Sequence, residues 1–261
     1  MPELPDLTVY AENLGKIVAG KKIVAVQYHR GKRLNVSPEE LSDALVSHRV
    51  TAVGRVGKEI CFSISNGVFM YVHLMLSGGF VLTTQKEAGG LDYPVISAAF
   101  EDGSALAVTD PKGWASVTLS AEPRAEIPDA LSVTADYLKQ KTGKKPKMPI
   151  KALLTDQQVI GGIGNAYVDE ILWRARISPK SEVGKLPPEA IDALVESIPA
   201  VLNEAIHHLR KNHPTMISGE FREFLKVHGP SIKVSPTGAP VIKEQILSKV
   251  TYYTDEQVLY K

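Results

Sequence analysis

The chain has little of three things that would assign it to a particular class of protein. Among its 261 residues there is one cysteine, Cys61, which excludes an internal disulfide and a thiolate metal cluster. No apolar run approaches the roughly 20 residues that cross a membrane. The net charge is only +1, so a nucleic-acid surface would have to come from local clusters of Lys and Arg.

What is present is typical of a soluble globular protein. Hydrophobic residues make up 44% and charged residues 23% of the chain, and the length allows one large or two ordinary domains. The first residues lack the charged and apolar regions of a signal peptide. Together with the single cysteine, this fits a reducing cytoplasm.

Apolar spacing divides the chain into a strand-rich first half and a helical second half. The first helix is predicted at Pro5–Val18, and many short strands at close spacing predict a β-sandwich. The predicted strands are Ile23–Tyr28, Val50–Val56, Glu59–Ile64, Phe69–Leu74, Phe80–Thr83, Val95–Phe100, Ala105–Val108 and Ala115–Leu119. The later helices are predicted at Val133–Lys141, Ile150–Thr155, Asn165–Arg176 and Pro188–Lys211. Residues 122–129 read as a linker, and the tail from Gly229 as strands with a turn at Ser235–Gly238.

The chain starts with Met1, Pro2 and Glu3, and this start offers groups that can take part in catalysis. Once Met1 is trimmed, Pro2 carries a secondary amine that can attack an aldehyde-level carbon and form an iminium. An α-amino group titrates near roughly pH 8, against about 10.4 for Lys, so more of it is unprotonated at neutral pH. Glu3 is then a candidate acid for a sugar oxygen. The alternative is an ordinary chain start followed by a helix.

A second motif is the glycine-rich turn at Gly161–Asn165, between two predicted helices. Glycines let a backbone approach a phosphate closely, and Asn165 stands where an N-cap is expected, at a helix start that attracts anions. Together, the Pro2-Glu3 start and this turn resemble the formamidopyrimidine-DNA glycosylase / endonuclease VIII family of base-excision repair enzymes. The resemblance covers nearly the whole chain.

The resemblance implies an α+β fold in three parts. These are a catalytic β-sandwich led by a helix at 1–128, a helical domain with a helix–two-turn–helix at 129–228, and a zincless β-hairpin finger at 229–261. It implies a bifunctional DNA glycosylase and AP lyase that excises oxidatively damaged bases through a Schiff base at Pro2, with β/δ-elimination and without a cofactor. The partner is damaged double-stranded DNA in a cleft between the first two parts, and we expect a monomer without a membrane.

Two alternatives remain open at this point. The first is a non-catalytic protein of the same fold that binds damaged or abasic DNA. The second discards the resemblance and treats the chain as a β-sandwich with a helical domain that binds RNA or a protein. That second alternative leaves the Pro2-Glu3 start unexplained.

The resemblance also assigns roles to individual residues. Pro2 is the nucleophile, Glu3 supplies protons, and Lys58 contacts the phosphates that flank the lesion. The other DNA contacts are His73, Asn165 and Lys249, which bind phosphates, and Lys147, which matches a family lysine near the lesion site. The residues that insert into DNA are Leu76, Lys112 and Trp114, where the family has Met, Arg and Phe. The dense basic segment Lys139–Lys151 is as well explained by a DNA-facing role as by solvation.

Two segments depart from the family pattern. The four finger cysteines are replaced by Val234, Thr237, Thr254 and Gln257, none of which binds zinc as a thiolate does, so we expect no metal. The interval from Thr215 to Val227 is short, and Glu220–Leu225 reads as a helix. The family's 8-oxoguanine enzymes have a long flexible capping loop there, so we expect weak 8-oxoguanine excision.

Overall fold

The computed structural model describes residues 1–31, 33–124 and 127–261. The chain divides into two compact units, one formed by Met1–Ala125 with Leu209–Glu220, the other by Glu126–His208 with Phe221–Lys261. The C-terminal hairpin belongs to the second unit, and the division into three domains stays a prediction. In the part that the structure describes, no helix is long and apolar enough to cross a bilayer.

The first unit begins with helix α1 (Leu4–Val18), whose buried apolar face includes Leu7, Tyr10 and Leu14. Two four-stranded antiparallel sheets follow, in the orders β1-β6-β7-β5 and β2-β3-β4-β8. The strands are β1 (Ile23–Tyr28), β2 (Val50–Val56), β3 (Glu59–Ile64), β4 (Phe69–His73), β5 (Gly79–Thr84), β6 (Pro94–Phe100), β7 (Ser104–Thr109) and β8 (Ser116–Ser120). All eight match predicted strands within one residue at each end.

The two sheets meet in a common apolar core. Phe62 of β3 packs edge-on against Phe80 of β5, with ring centroids 6.0 Å apart. Cys61 is buried in β3, as predicted. One helix was not anticipated, α2 (Pro38–Leu45), although Ser37 and Glu40 form a capping box that the sequence displays.

The second unit contains the remaining helices and a hairpin. The helices are α3 (Ala135–Lys144), α4 (Ile150–Thr155), α5 (Asn165–Arg174) and most of α6 (Pro188–Asn212), and the hairpin strands are β9 (Ile242–Ile246) and β10 (Lys249–Tyr253). The α+β fold with a helical second half is confirmed.

The predicted helix at Glu220–Leu225 is wrong. Only a single turn forms, in which the Leu225 N–H donates to the Arg222 carbonyl at 3.1 Å. The next three backbone N–H groups, from Lys226 to His228, donate to the buried carboxylate of Glu170 instead. A helix cannot continue when its donors are used in this way.

Candidate active site and nucleic-acid interface

Pro2 and Glu3 are both buried at the start of α1. The Glu3 backbone N–H donates to Asp6 Oδ2 at 2.9 Å, and the Glu3 carboxylate accepts from the backbone N–H of Asp6. This reciprocal capping box holds the Glu3 carboxylate in place. An acid is therefore fixed next to the residue that the sequence nominates as nucleophile.

Pro2 lines an open pocket of about 290 Å³. Ser218–Glu220 form another part of its wall, and Met1 is ion-paired through its amino group to the Glu220 carboxylate. Helix α1 holds this wall, because Asn13 donates to the Met216 carbonyl at 2.9 Å and the Tyr10 hydroxyl donates to the Gly219 carbonyl. Sequence reasoning missed this wall because it assigned Glu220 to a helix.

Lys58 and His73 are two candidate phosphate ligands in the same unit, the first charged and the second neutral. Lys58 follows Gly57, whose φ of +55° allows the tight turn between β2 and β3. Burial, followed by the charges of Lys58 and Arg33, lowers the pKa of His73 to about 4. The His73 Nδ1 accepts from the Met75 N–H at 3.0 Å, so the neutral ring carries its proton on Nε2, where it can donate to a phosphate.

The three predicted insertion residues stand on two loops with exposed tips. Leu76 is 51% exposed and Trp114 is 44% exposed, which is unusual for side chains of this size. Lys112 is also exposed, and its Nζ lies 4.9 Å from the centroid of the Trp114 ring. Both loops contact the buried Asp110 carboxylate, a residue that sequence reasoning passed over although it opens the Asp110–Trp114 motif.

In the second unit the glycine turn is held from inside by Gln157. Its amide donates to the Ile163 carbonyl at 2.7 Å and accepts from the Gly162 N–H at 3.0 Å. Helix α5 starts at Asn165 with Gly164 as its N-cap, so the predicted N-cap role of Asn165 is wrong. The Asn165 side chain instead donates to the Val250 carbonyl at 2.8 Å.

This contact brings two predicted phosphate ligands onto one surface. Lys249, the first residue of β10, donates from Nζ to Thr155 Oγ1 at 3.0 Å. Asn165 binds the next residue of the same strand. The glycine turn and the finger hairpin are therefore joined, although they are more than 80 residues apart in sequence.

The basic segment Lys139–Lys151 is split by the structure. Lys151 is only 2% exposed and donates to Asp169 Oδ1 at 2.8 Å and to Thr251 Oγ1 at 2.7 Å. A DNA-facing role for Lys151 is therefore wrong, because its buried ammonium group binds Asp169 and the finger residue Thr251. Lys147 is exposed on a turn that the Pro146 carbonyl fixes by accepting from the Gly184 N–H at 2.9 Å.

At the finger positions where the family has cysteines, the polar side chains form hydrogen bonds. Thr237 donates to Glu256 at 2.6 Å, and the Gln257 amide donates to the Ile177 carbonyl at 2.8 Å. Val234 is 56% exposed. These residues offer neither thiolate nor imidazole and do not fit zinc. Within 1–31, 33–124 and 127–261, no cluster of His, Cys, Asp and Glu is arranged to hold a metal.

Comparison with known families agrees with this arrangement. Residues 1–117 match the formamidopyrimidine-DNA glycosylase N-terminal domain, and residues 123–215 match the H2TH domain of the same enzyme. This chain belongs to the formamidopyrimidine-DNA glycosylase family. The family predicted from the Pro2-Glu3 start and the glycine turn is therefore confirmed.

Individual members of the family match over nearly their whole length. The formamidopyrimidine-DNA glycosylase of Mycoplasma genitalium is 30% identical, over 97% of this chain and 94% of the relative. That of Mycoplasma pneumoniae is 28% identical, over 98% of both. Among solved structures, the Lactococcus lactis Fpg complex with DNA containing an abasic site has a TM-score of 0.86 at 24% identity. It covers 97% of both chains and supports the fold.

Proposed function

We propose that this protein is a DNA glycosylase with AP lyase activity that excises oxidatively damaged bases from duplex DNA. The observation that carries the proposal is the buried Pro2-Glu3 pair at the wall of an open pocket, in a chain of this family. Because its substrate is DNA, we expect the protein in the cytoplasm near the nucleoid, or in the nucleus if the source is eukaryotic.

The chemistry requires only the residues of the chain. With Met1 removed, the Pro2 nitrogen attacks C1′ of the damaged nucleotide, and the base leaves with the electrons of the glycosidic bond. Glu3 protonates the sugar ring oxygen as the ring opens, which leaves an iminium between Pro2 and C1′. Loss of a C2′ proton then expels the 3′ phosphate, a second elimination expels the 5′ phosphate, and water releases the sugar fragment. No metal or organic cofactor takes part.

Several side chains are proposed to hold the DNA backbone. Lys58 and the neutral Nε2–H of His73 would bind the phosphates next to the lesion, while Lys147, Asn165 and Lys249 would bind phosphates from the helical unit. Lys249 stands where the family has an arginine. It keeps the positive charge, but it cannot form the two parallel hydrogen bonds that a guanidinium forms with a phosphate. Such contacts position the DNA without reading its sequence.

Leu76, Lys112 and Trp114 are proposed to enter the duplex when the damaged nucleotide is extruded. An apolar wedge and an aromatic ring can fill the vacated space in the stack. Lys112 lacks the planar fork with which an arginine addresses an orphaned base. We therefore expect weak dependence on the opposite base.

The second candidate is a non-catalytic protein that binds damaged or abasic DNA, and the three changed insertion residues and the rebuilt finger favour it. A Pro2 nitrogen that is still joined to Met1 is a tertiary amide and cannot be a nucleophile, so the proposed chemistry requires that Met1 be removed. The two candidates differ in whether the chain forms a covalent bond with DNA.

Borohydride trapping on DNA with an abasic site separates the two candidates. We expect a protein that starts at Pro2 to be trapped covalently, because the reducing agent fixes the iminium. A version with residues fused ahead of Pro2 should give no trapped complex, and intact-mass measurement checks where each protein starts.

The control is Glu3→Gln, which keeps the volume of the side chain and removes its acidity. If the fused version is trapped as well as the protein that starts at Pro2, the nucleophile is a lysine and not the N-terminus. Binding without trapping by the version that starts at Pro2 would favour the non-catalytic candidate.

A further inference from the structure

The Asp110 carboxylate is the common anchor of the two loops that carry Leu76 and Trp114. Its side chain is fully buried, at 0% exposure. Within its own loop it accepts from the backbone N–H groups of Lys112 at 3.1 Å, Trp114 at 2.6 Å and Ala115 at 2.8 Å. From the other loop it accepts the Ser77 hydroxyl on Oδ1.

The backbone of Asp110 is held as well. Its N–H donates to the Tyr93 carbonyl at 2.9 Å. Its carbonyl accepts from Arg30 Nη2, and the Arg30 guanidinium lies 4.9 Å from the Tyr93 ring centroid. Burial alone would raise the pKa of Asp110, but the donors from Ser77 and the loop backbone outweigh it and leave the pKa lowered. The anchor is thus a fixed carboxylate, charged at neutral pH.

We propose that the Ser77–Asp110 contact makes the Leu76 loop and the Lys112–Trp114 loop act as one rigid unit on DNA. Asp110 is a positioning residue in this proposal, because it touches neither substrate nor reacting atoms. The inference rests on the proposed function insofar as the two loops enter DNA. A unit that is already assembled does not lose the freedom of each loop separately on binding.

The proposal requires Leu76 and Trp114 to contribute to DNA binding in a coupled way. If the loops are one unit, truncating either Leu76 or Trp114 already weakens the DNA contact of both loops. Truncating the second side chain then lowers the DNA affinity by less than it does in the wild-type protein. If the loops are independent, the two losses multiply. The side-chain link is a single hydroxyl, so it can be removed without disturbing the backbone contacts of Asp110 or the pairing of Gly79 with Thr109 next to the two loops.

A double-mutant cycle in two backgrounds tests this. Affinity for a duplex with an abasic-site analogue is measured for wild type, Leu76→Ala, Trp114→Ala and the double variant, and again with Ser77→Ala added. We expect the double variant to lose at least about five-fold less affinity than the product of the single losses. This difference should disappear in the Ser77→Ala background.

Three controls protect the interpretation. Ser77→Thr keeps the hydroxyl and should keep the coupling, and Ser42→Ala changes a half-buried serine on α2 and should have no effect. Asp110→Ala removes every acceptor of the anchor, so it should also abolish coupling wherever its melting temperature shows that it folds.

Losses that multiply within about two-fold in the wild-type background would overturn the proposal. Coupling that survives Ser77→Ala would overturn it too. Because affinity is the readout, the cycle remains decisive for a protein that binds but does not trap, which separates it from the failure of the glycosylase proposal. A wild type without affinity for the duplex would refute both.

Discussion

At the scale of single residues, His73 shows how burial decides protonation. Burial, helped by the charges of Lys58 and Arg33, lowers its pKa to about 4, so the ring is neutral throughout the physiological range. A neutral histidine that accepts from the Met75 N–H on Nδ1 has a single donor left, on Nε2. The residue therefore offers a directed hydrogen bond to phosphate rather than a charge.

The lowered pKa of His73 predicts a loss of stability in acid. An unfolded histidine binds a proton near pH 6.5, whereas the folded ring binds one only near pH 4. The unfolded state thus binds more protons between these values, and stability falls as pH drops. Urea unfolding at pH 7 and pH 5 should show a loss of up to about 2 kcal/mol from this group.

The variant His73→Asn isolates this contribution, because an amide oxygen can replace the Nδ1 acceptor without titrating. Its stability should fall less between the two pH values than that of wild type. His207→Asn changes an exposed histidine on α6 and should follow wild type. An equal pH dependence in all three proteins would contradict the assignment to His73.

At the scale of elements, the finger hairpin is built around an unusual turn. Two residues, Leu247 and Ser248, connect β9 to β10, and their φ values of +46° and +65° lie in the left-handed region. Turns of this kind favour Asn-Gly, because a side chain that branches from Cβ or is bulky is strained there. Leu247 is also 60% exposed, so packing does not compensate the strain.

Replacing Leu247 and Ser248 by Asn and Gly should therefore stabilise the protein. We expect a gain of roughly 1 kcal/mol in the free energy of unfolding, because the strain of the left-handed conformation is relieved. Urea unfolding at neutral pH measures it.

The opposite change provides the control. Gly238, with φ of +89°, lies in the turn at Ser235–Gly238, and a Cβ added there would meet no atom within 4 Å. Gly238→Ala should destabilise through backbone strain alone. A hairpin variant no more stable than wild type would mean that the Leu247 side chain contributes contacts that offset the strain.

At the scale of the whole molecule, the choice of substrate depends on the short segment that stands in place of a long capping loop. The segment from Thr215 to Val227 is short. The side chains of Asn13 and Tyr10 bind its backbone near the first end, and the Glu170 carboxylate binds its backbone at the second end. It forms a fixed wall and a turn rather than the long capping loop of the family's 8-oxoguanine enzymes. A flipped purine would find fewer partners for its polar edge, and unpaired polar groups are costly to bury.

We therefore predict weak excision of 8-oxoguanine. Abasic sites, oxidised pyrimidines and ring-opened purines should be processed faster, because they are selected mainly by ease of extrusion and fit. Single-turnover rates on a panel of defined lesions in duplex DNA, each opposite every base, measure this. If 8-oxoguanine opposite cytosine reacts as fast as the best other lesion, the capping argument is wrong.

Local patterns in the sequence were sufficient for most of the elements. All eight strands of the first unit and the helices of the second follow from apolar periodicity and turn residues, because these signals act between near neighbours. Motif chemistry nominated Pro2, Glu3 and the glycine turn for the same reason. Where local signals competed with a distant partner they failed, as at Glu220–Leu225, whose continuation as a helix is prevented by Glu170.

The tertiary structure decided what each polar group does. Lysines that look alike in the sequence separated into a buried brace, Lys151, and an exposed side chain, Lys147. Asp110 became the anchor of two loops, and Asn165 turned from an N-cap to a partner of the finger. The sequence by itself determined the elements and the family, because propensity and motif are local properties. Burial, protonation and partnership depend on groups distant in the chain, and only the folded molecule brings those groups together.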